Sequence, residues 1–91
     1  MLVSRRYIVG GRVQGVGFRF FVEAAALCEG LSGYVRNRHD GTVEAEVEGD
    51  AESVERFELA IRRGPSAARV DSVDVTELLP AGRVTGFYVR G

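Results

Sequence analysis

Hydrophobic and polar positions alternate along parts of this 91-residue chain and recur at helical spacing along others. Alternation predicts a first strand over residues 6–13. Strong helix formers follow, and an apolar face that includes Phe18 and Val22 predicts a helix over residues 18–29, with Gly30 as its stop. The chain therefore opens with a strand and a helix.

A hairpin is predicted next, because residues 34–38 and 42–48 flank an Asp40-Gly41 turn. The second of these strands alternates without interruption. Since neighbouring side chains of a strand point to opposite faces, one set faces the core and the other points into water. We expect Val43, Ala45 and Val47 in the core, and Glu44, Glu46 and Glu48 in water.

A second helix is predicted over residues 51–63, with Asp50 as its N-cap and a Gly-Pro pair at its end. Its apolar residues lie on one stripe: Val54, Phe57 and Ile61. Residues 70–78 and 84–90 then read as a last antiparallel pair of strands.

This order predicts one domain, residues 1–91, with a ferredoxin-like split βαβ fold of the α+β class. We expect an antiparallel sheet with two helices on one face. A right-handed crossover makes the first two strands parallel, with the third between them, so their C-terminal ends lie roughly 10 Å apart. Residues 14–19 and Asn37 then face one another.

Charge is divided unevenly along the chain, although the net charge is only −1. Residues 1–39 carry six arginines and two acids, a charge of +4, while residues 40–91 carry six arginines and eleven acids, a charge of −5. This division favours a local anion site over general nucleic-acid binding. The chain has no lysine, which excludes a Walker A loop and a Schiff-base lysine.

The soft metal ligands are limited to Cys28 and His39, which argues against a structural zinc site. A single cysteine forms no internal disulfide, and the first twelve residues lack an apolar run long enough for a signal peptide, so we expect a cytoplasmic protein. We expect Cys28 to pack within the first helix and His39 to lie solvated in the turn. The three phenylalanines at the start of that helix, Phe18, Phe20 and Phe21, are expected in the core.

Candidate chemistry lies between the first strand and the first helix. There, Gly15 and Gly17 let the backbone curl so that several N–H groups point inward as an anion cradle. Arg19 could add a bidentate clamp on the anion, although the spacing fits a tight turn with a solvated arginine at least as well. Asn37 either bonds its own turn or holds a water facing the cradle.

Two segments resemble the signatures of a known family. The sequence GRVQGVGFR at residues 11–19 resembles the first acylphosphatase signature, and GYVRNRHDG at residues 33–41 resembles the second. The resemblance covers essentially the whole chain, and two long motifs in this order are specific. It implies an enzyme that hydrolyses the carboxyl–phosphate bond of acyl phosphates to a carboxylate and inorganic phosphate.

The resemblance also implies the roles of individual residues. Asn37 would orient the attacking water, and Arg19 would bind the phosphate with the backbone of the preceding loop. That loop comprises Gln14, Gly15, Val16, Gly17 and Phe18. The leaving group of an acyl phosphate is a carboxylate, whose conjugate acid has a pKa of about 4, so its departure needs no general acid. We therefore expect neither a metal nor a cofactor.

Two rival classes share parts of this pattern. An RNA-recognition module has the same order of elements, but its aromatic signature belongs on the third strand, which here is acidic and would repel phosphates. The other rival is a non-catalytic anion-binding or regulatory domain, like the acylphosphatase-like module of hydrogenase-maturation carbamoyltransferases. For the enzyme we expect acyl phosphate and inorganic phosphate as small-molecule partners, no nucleic-acid or membrane partner, and a monomer.

Overall fold

The computed structural model describes residues 1–82 and 85–91. Its elements, in chain order, are β1 (Leu2–Arg12), α1 (Phe18–Cys28), β2 (Ser32–Asn37), β3 (Val43–Asp50), α2 (Ala51–Arg63), β4 (Arg69–Leu78) and β5 (Phe87–Arg90). The predicted order of elements is confirmed. The first strand begins at Leu2 rather than at residue 6. The start that the sequence predicts for the last strand, at residue 84, lies outside the described residues.

The five strands form one sheet in the order β4-β1-β3-β2-β5. Both β1 and β2 are antiparallel to β3, so they are parallel to each other with β3 between them, as predicted. The predicted antiparallel pairing of the last two strands is wrong. β4 pairs antiparallel with β1, whereas β5 lies at the opposite edge, parallel to β2, so the sheet is mixed. β4 pairs with the outer edge of β1 and β5 with the outer edge of β2, where backbone N–H and C=O groups would otherwise lack partners.

The core lies between the sheet and the two helices. Tyr7 of β1 and Phe57 of α2 are fully buried, with ring centroids 5.7 Å apart. The predicted stripe of α2 is confirmed, because Val54, Phe57 and Ile61 are all buried. On β3 the predicted inward residues, Val43, Ala45 and Val47, are buried as well.

The acidic face of β3 departs from expectation. Glu44 and Glu46 are only 8% and 6% exposed, so the prediction that they point into water is wrong. The reason is that β3 is the central strand, and side chains of both neighbouring strands cover it. Arg36 donates to Glu44 at 3.1 Å and the Tyr34 hydroxyl donates to the same carboxylate.

The first helix also differs in detail. Phe18 is buried, but Phe20 is 64% exposed and Cys28 is exposed, so neither of these two packs in the core as predicted. Each lies two residues from a buried position of α1, Phe20 from Val22 and Cys28 from Ala26, and a two-residue step turns about 200° around a helix. His39 is exposed in its turn, as predicted.

Candidate active site

The glycine loop, residues 13–17, joins β1 to α1. A register shift between Gly10 and Gly11 bends the end of β1 just before it. Gly15 and Gly17 have φ angles of 74° and 76°, in the left-handed region that side chains with a Cβ disfavour. The loop thus reverses direction at Gly15 and Gly17, as the sequence predicts.

The N-terminus of α1 has no side-chain cap. Gly17 occupies the N-cap position, no side-chain hydrogen bond closes this end, and the first turn contains no acid. The second helix provides the contrast, since Asp50 accepts a hydrogen bond from the Glu52 N–H at 3.2 Å. The first N–H groups of a helix need partners, and its positive dipole end favours anions. The start of α1 is therefore suited to receive an anionic group.

Arg19 lies in the first turn of α1 and is half-buried. Its Nη1 donates to the backbone carbonyl of Arg90 at 2.7 Å. This contact fixes the guanidinium while using one of its five N–H donors. Within the described part of the chain Arg19 has no carboxylate partner, so its charge is not neutralised locally.

Asn37 is the last residue of β2, and the register decides where it points. It is aligned with the buried Val43 of β3, and Val35, two residues earlier on the same face, is buried against the helices. The period of two therefore places Asn37 on the helix face, not on the open face with Arg36. Its Oδ1 is out of contact with solvent and accepts no hydrogen bond from the described residues.

A cavity of about 90 Å³ brings the predicted residues together. Its lining consists of Val13, Gly15, Gly17, Phe18, Arg19, Phe20 and Asn37. Pockets for drug-sized ligands hold about 300–1,000 Å³, so this one suits a small group such as a phosphoryl group and a water. Two predicted residues of the loop, Gln14 and Val16, do not line it.

A larger cavity of about 160 Å³ lies on the open face of the sheet. Its lining includes Glu46 and Glu48 but neither Arg19 nor Asn37. That lining also includes the cationic Arg90, so its charge is mixed, whereas the smaller cavity has the cationic Arg19 and no carboxylate among its lining residues.

Three features of the site were not predicted from the sequence. The side chain of Gln14 bonds the turn between β2 and β3, the carbonyl of Arg90 holds Arg19, and Phe20 stands at the rim of the cavity. The first two are contacts across 24 and 71 residues, for which the local sequence carries no signal. Helical spacing from Phe18 could have placed Phe20 on the outer face.

Neither helix of the described residues has the length and apolar character needed to cross a bilayer. The same residues contain no group of three or more His, Cys, Asp or Glu side chains placed to hold a metal ion.

Comparison with known proteins identifies the family of this chain. The acylphosphatase family model matches residues 5–89. The acylphosphatase of Koribacter versatilis is 47% identical over 88 residues, which are 97% of this chain and 80% of that protein. The crystal structure of acylphosphatase from Bacillus subtilis has a TM-score of 0.94 and 40% identity, with 100% of both chains covered. Full-length HypF, in its phosphate- and nucleotide-bound crystal form, has a TM-score of 0.87 and 31% identity, and the match covers all of this chain but 12% of HypF. The chain therefore belongs to the acylphosphatase family, the hydrolases that release phosphate from acyl phosphates.

Proposed function

We propose that the cavity between Arg19 and Asn37 is where this chain hydrolyses the carboxyl–phosphate bond. The observation that carries the proposal is the convergence of three features on one small cavity: an uncapped helix N-terminus, a half-buried arginine without an acidic partner in the described residues, and a buried amide oxygen. Each feature alone is common. Together they provide donors for a phosphoryl group and an acceptor for a water.

The backbone N–H groups of Gly15, Gly17 and Phe18, which line the cavity, and the guanidinium of Arg19 bind the phosphoryl oxygens. Charge-assisted hydrogen bonds to a planar guanidinium are strong and directional, and the contact with Arg90 holds that plane in place. The same donors stabilise the charge on the equatorial oxygens in the transition state.

Asn37 positions the nucleophile. Its Oδ1 accepts a hydrogen bond from a water, whose oxygen attacks phosphorus while the bond to the acyl oxygen breaks and the electron pair leaves with the carboxylate. The described residues that line the cavity include no carboxylate or imidazole that could accept the proton of this water. We infer that the proton of the water passes to a phosphoryl oxygen.

A metal is not required by this scheme, because the carboxylate leaves without protonation and Arg19 supplies positive charge. The further parts of the proposal are a cytoplasmic location, a monomer, and no nucleic-acid or membrane partner. The net charge of −1 supports the absence of a nucleic-acid partner, because general binding to a phosphate backbone needs an excess of positive charge.

A non-catalytic phosphate-binding domain is the second candidate. The similarity to HypF supports this candidate, because the matched fold makes up only 12% of that larger protein. Such a domain would bind phosphate without turnover, whereas the enzyme would do both.

Hydrolysis of benzoyl phosphate, compared with phenyl phosphate, tests the proposal. We expect release of phosphate from the anhydride and none above background from the ester, because its phenoxide leaving group, whose conjugate acid has a pKa of about 10, leaves far less readily than a carboxylate without an acid or a metal. The rate with the anhydride should be unchanged in excess chelator. Phosphate binding without turnover would favour the second candidate, and loss of activity with chelator would overturn the metal-free scheme.

Asn37→Ala tests the role of the amide. We expect kcat to fall about 100-fold, the effect of a misplaced nucleophile, while the inhibition constant of inorganic phosphate stays within about threefold. Ser32→Ala, at the other end of β2, is the control and should keep wild-type kcat. Equal losses of kcat and of phosphate binding would contradict a role in positioning water.

A further inference from the structure

The side chain of Gln14 turns away from the cavity and spans the gap to the turn between β2 and β3. Its Nε2 donates to the backbone carbonyl of Arg38 at 2.8 Å and to that of Thr42 at 3.0 Å. A side-chain amide has two donors on nitrogen and an acceptor oxygen. Two carbonyl acceptors are satisfied only by the nitrogen, so the contacts fix the orientation of the amide.

Both carbonyl groups belong to the neck of the hairpin that carries Asn37. The Arg38 N–H donates to the Thr42 carbonyl at 2.9 Å, which closes the turn. One residue further into the ladder, Asn37 is aligned with Val43. Gln14 therefore contacts Arg38, the residue after Asn37. It also contacts Thr42, the residue before Val43, with which Asn37 is aligned.

This contact joins the two halves of the candidate site. The glycine loop and α1 carry the phosphate donors, whereas β2 carries Asn37, and β3 lies between β1 and β2 in the sheet. The pairing of β1 with β3 ends where Val9 is aligned with Val43, so this ladder does not extend to Gln14. Beyond that point the half-buried Gln14 amide is a direct polar link between loop and hairpin.

We propose that Gln14 is a positioning residue, which sets the distance between the phosphate cradle and the water-holding amide of Asn37. The inference rests on the proposed function and deepens it. Without the link, the N–H groups of the loop and Arg19 still bind a phosphoryl group, but the Asn37 amide shifts relative to phosphorus. A displacement of about 1 Å costs about 100-fold in rate when orientation is lost.

Gln14→Met tests the link, because methionine has a similar length and no N–H donors. We expect kcat for benzoyl phosphate to fall at least about tenfold, while the inhibition constant of inorganic phosphate changes less than about threefold. Gln14→Asn keeps both donors on a shorter side chain. Its kcat should fall less than that of Gln14→Met. If circular dichroism shows that Gln14→Met does not fold, Gln14→Asn is measured in its place.

Asp40→Ala is the matched control for loosening of the same turn. Asp40 Oδ1 accepts hydrogen bonds from the Thr42 N–H at 3.0 Å and from Thr42 Oγ1 at 2.6 Å, and neither bond reaches the glycine loop. We expect its Tm to fall and its kcat to stay within about twofold of wild type.

Three outcomes would overturn the inference while the proposed function stands: an unchanged kcat in Gln14→Met, parallel losses of kcat and of phosphate binding, or the same loss of kcat in Asp40→Ala. A wild-type chain without activity on benzoyl phosphate would overturn the proposed function, and this inference with it.

Discussion

The Arg19 side chain is held in one orientation and still has N–H donors available for a ligand. One N–H bond to the Arg90 carbonyl orients the guanidinium, and the remaining donors stay free of carboxylates in the described structure. A lysine would have a rotating point charge in place of this planar fork. A backbone carbonyl orients the guanidinium without adding negative charge beside it, whereas a carboxylate in the same place would repel the phosphate.

Arg19→Gln should impair binding and turnover together, because the dianion is bound in both the ground state and the transition state. We expect kcat/KM to fall on the order of 1,000-fold, similar to the loss of an arginine that stabilises a transferring phosphoryl group. Steady-state kinetics with benzoyl phosphate measure both constants. Arg63→Gln, at the exposed end of α2, is the control. A change in KM alone would mean that Arg19 does not act in the transition state.

Phe20 lies at the rim of the cavity and is 64% exposed. Since the cavity holds little more than a phosphoryl group, we expect the acyl group to lie outside it, beside this ring. Phe20→Ala should raise KM for benzoyl phosphate about fivefold, the equivalent of about 1 kcal/mol of apolar contact, and leave KM for acetyl phosphate unchanged. Leu27→Ala removes an exposed side chain farther along the same helix and serves as the control. Equal effects on the two substrates would refute this role.

The two helices show how a terminus is kept available for a ligand. α2 begins at a capping aspartate and α1 at an uncapped glycine in the left-handed conformation. Both helices bury an apolar stripe, so packing holds α1 in place without a cap. The sequence predicted both starts, α2 from its capping aspartate and α1 from the helix formers that begin at Phe18.

The central strand β3 carries carboxylates that are satisfied within the sheet. Burial raises the pKa of Glu44, but hydrogen bonds from Tyr34 and Arg36 outweigh it, and the net pKa lies below the ordinary 4.5. Burial, together with the bond to Glu44, raises the pKa of Tyr34 from 10.0 to about 12. The folded state therefore prefers the ionised carboxyl and the neutral phenol.

These pKa shifts predict the pH dependence of stability. The contribution of Glu44 is present above its ordinary pKa of 4.5 and is lost as the pH falls through its lower folded-state value. The contribution of Tyr34 is complete below pH 10 and is lost as the pH rises toward about 12. Tyr34→Phe should abolish part of the alkaline loss and reduce the acid loss, because without the Tyr34 hydrogen bond the folded-state pKa of Glu44 moves back toward its ordinary value. Burial also raises the pKa of Tyr7, which still contributes to the alkaline loss in this variant.

Denaturant midpoints from pH 3 to pH 11 measure this effect, with Tyr88→Phe as a control on an exposed tyrosine. An alkaline profile of Tyr34→Phe identical to that of the wild type would show that the Tyr34 phenol does not stabilise the fold.

For the molecule as a whole, ligand binding and stability are coupled. Phosphate in the cavity would contact the glycine loop, α1 and the end of β2, and a ligand that binds the folded state alone adds stability. At 100 times its dissociation constant, phosphate should add about 2.7 kcal/mol and raise Tm by about 10 °C or more for a chain of this size. Sodium chloride at equal ionic strength is the control. Arg19→Gln should lose most of the shift, and a shift retained in that variant would place phosphate elsewhere.

Much of the fold could be read from local patterns. Alternation and helical spacing gave the elements, because burying one face of each is what folding requires. The antiparallel pairing assigned to β4 and β5 was wrong, because local patterns describe a strand and its faces but not the edge that it covers. The exposure assigned to Glu44 and Glu46 was wrong for a related reason. Whether a polar face meets water depends on neighbouring strands, and those come from distant parts of the chain.

For the site, the sequence established which residue types stand where the chain reverses: Gly15 and Gly17 in the loop, Arg19 in the first turn and Asn37 at the end of a strand. These are local preferences of backbone and side chain, and they persist wherever the segments lie. Tertiary structure alone decided that Oδ1 of Asn37 is buried, that Arg90 orients Arg19, and that Gln14 connects the loop to the hairpin. Each of these depends on the pairing of segments distant in the chain, which is set by the packing of the whole core.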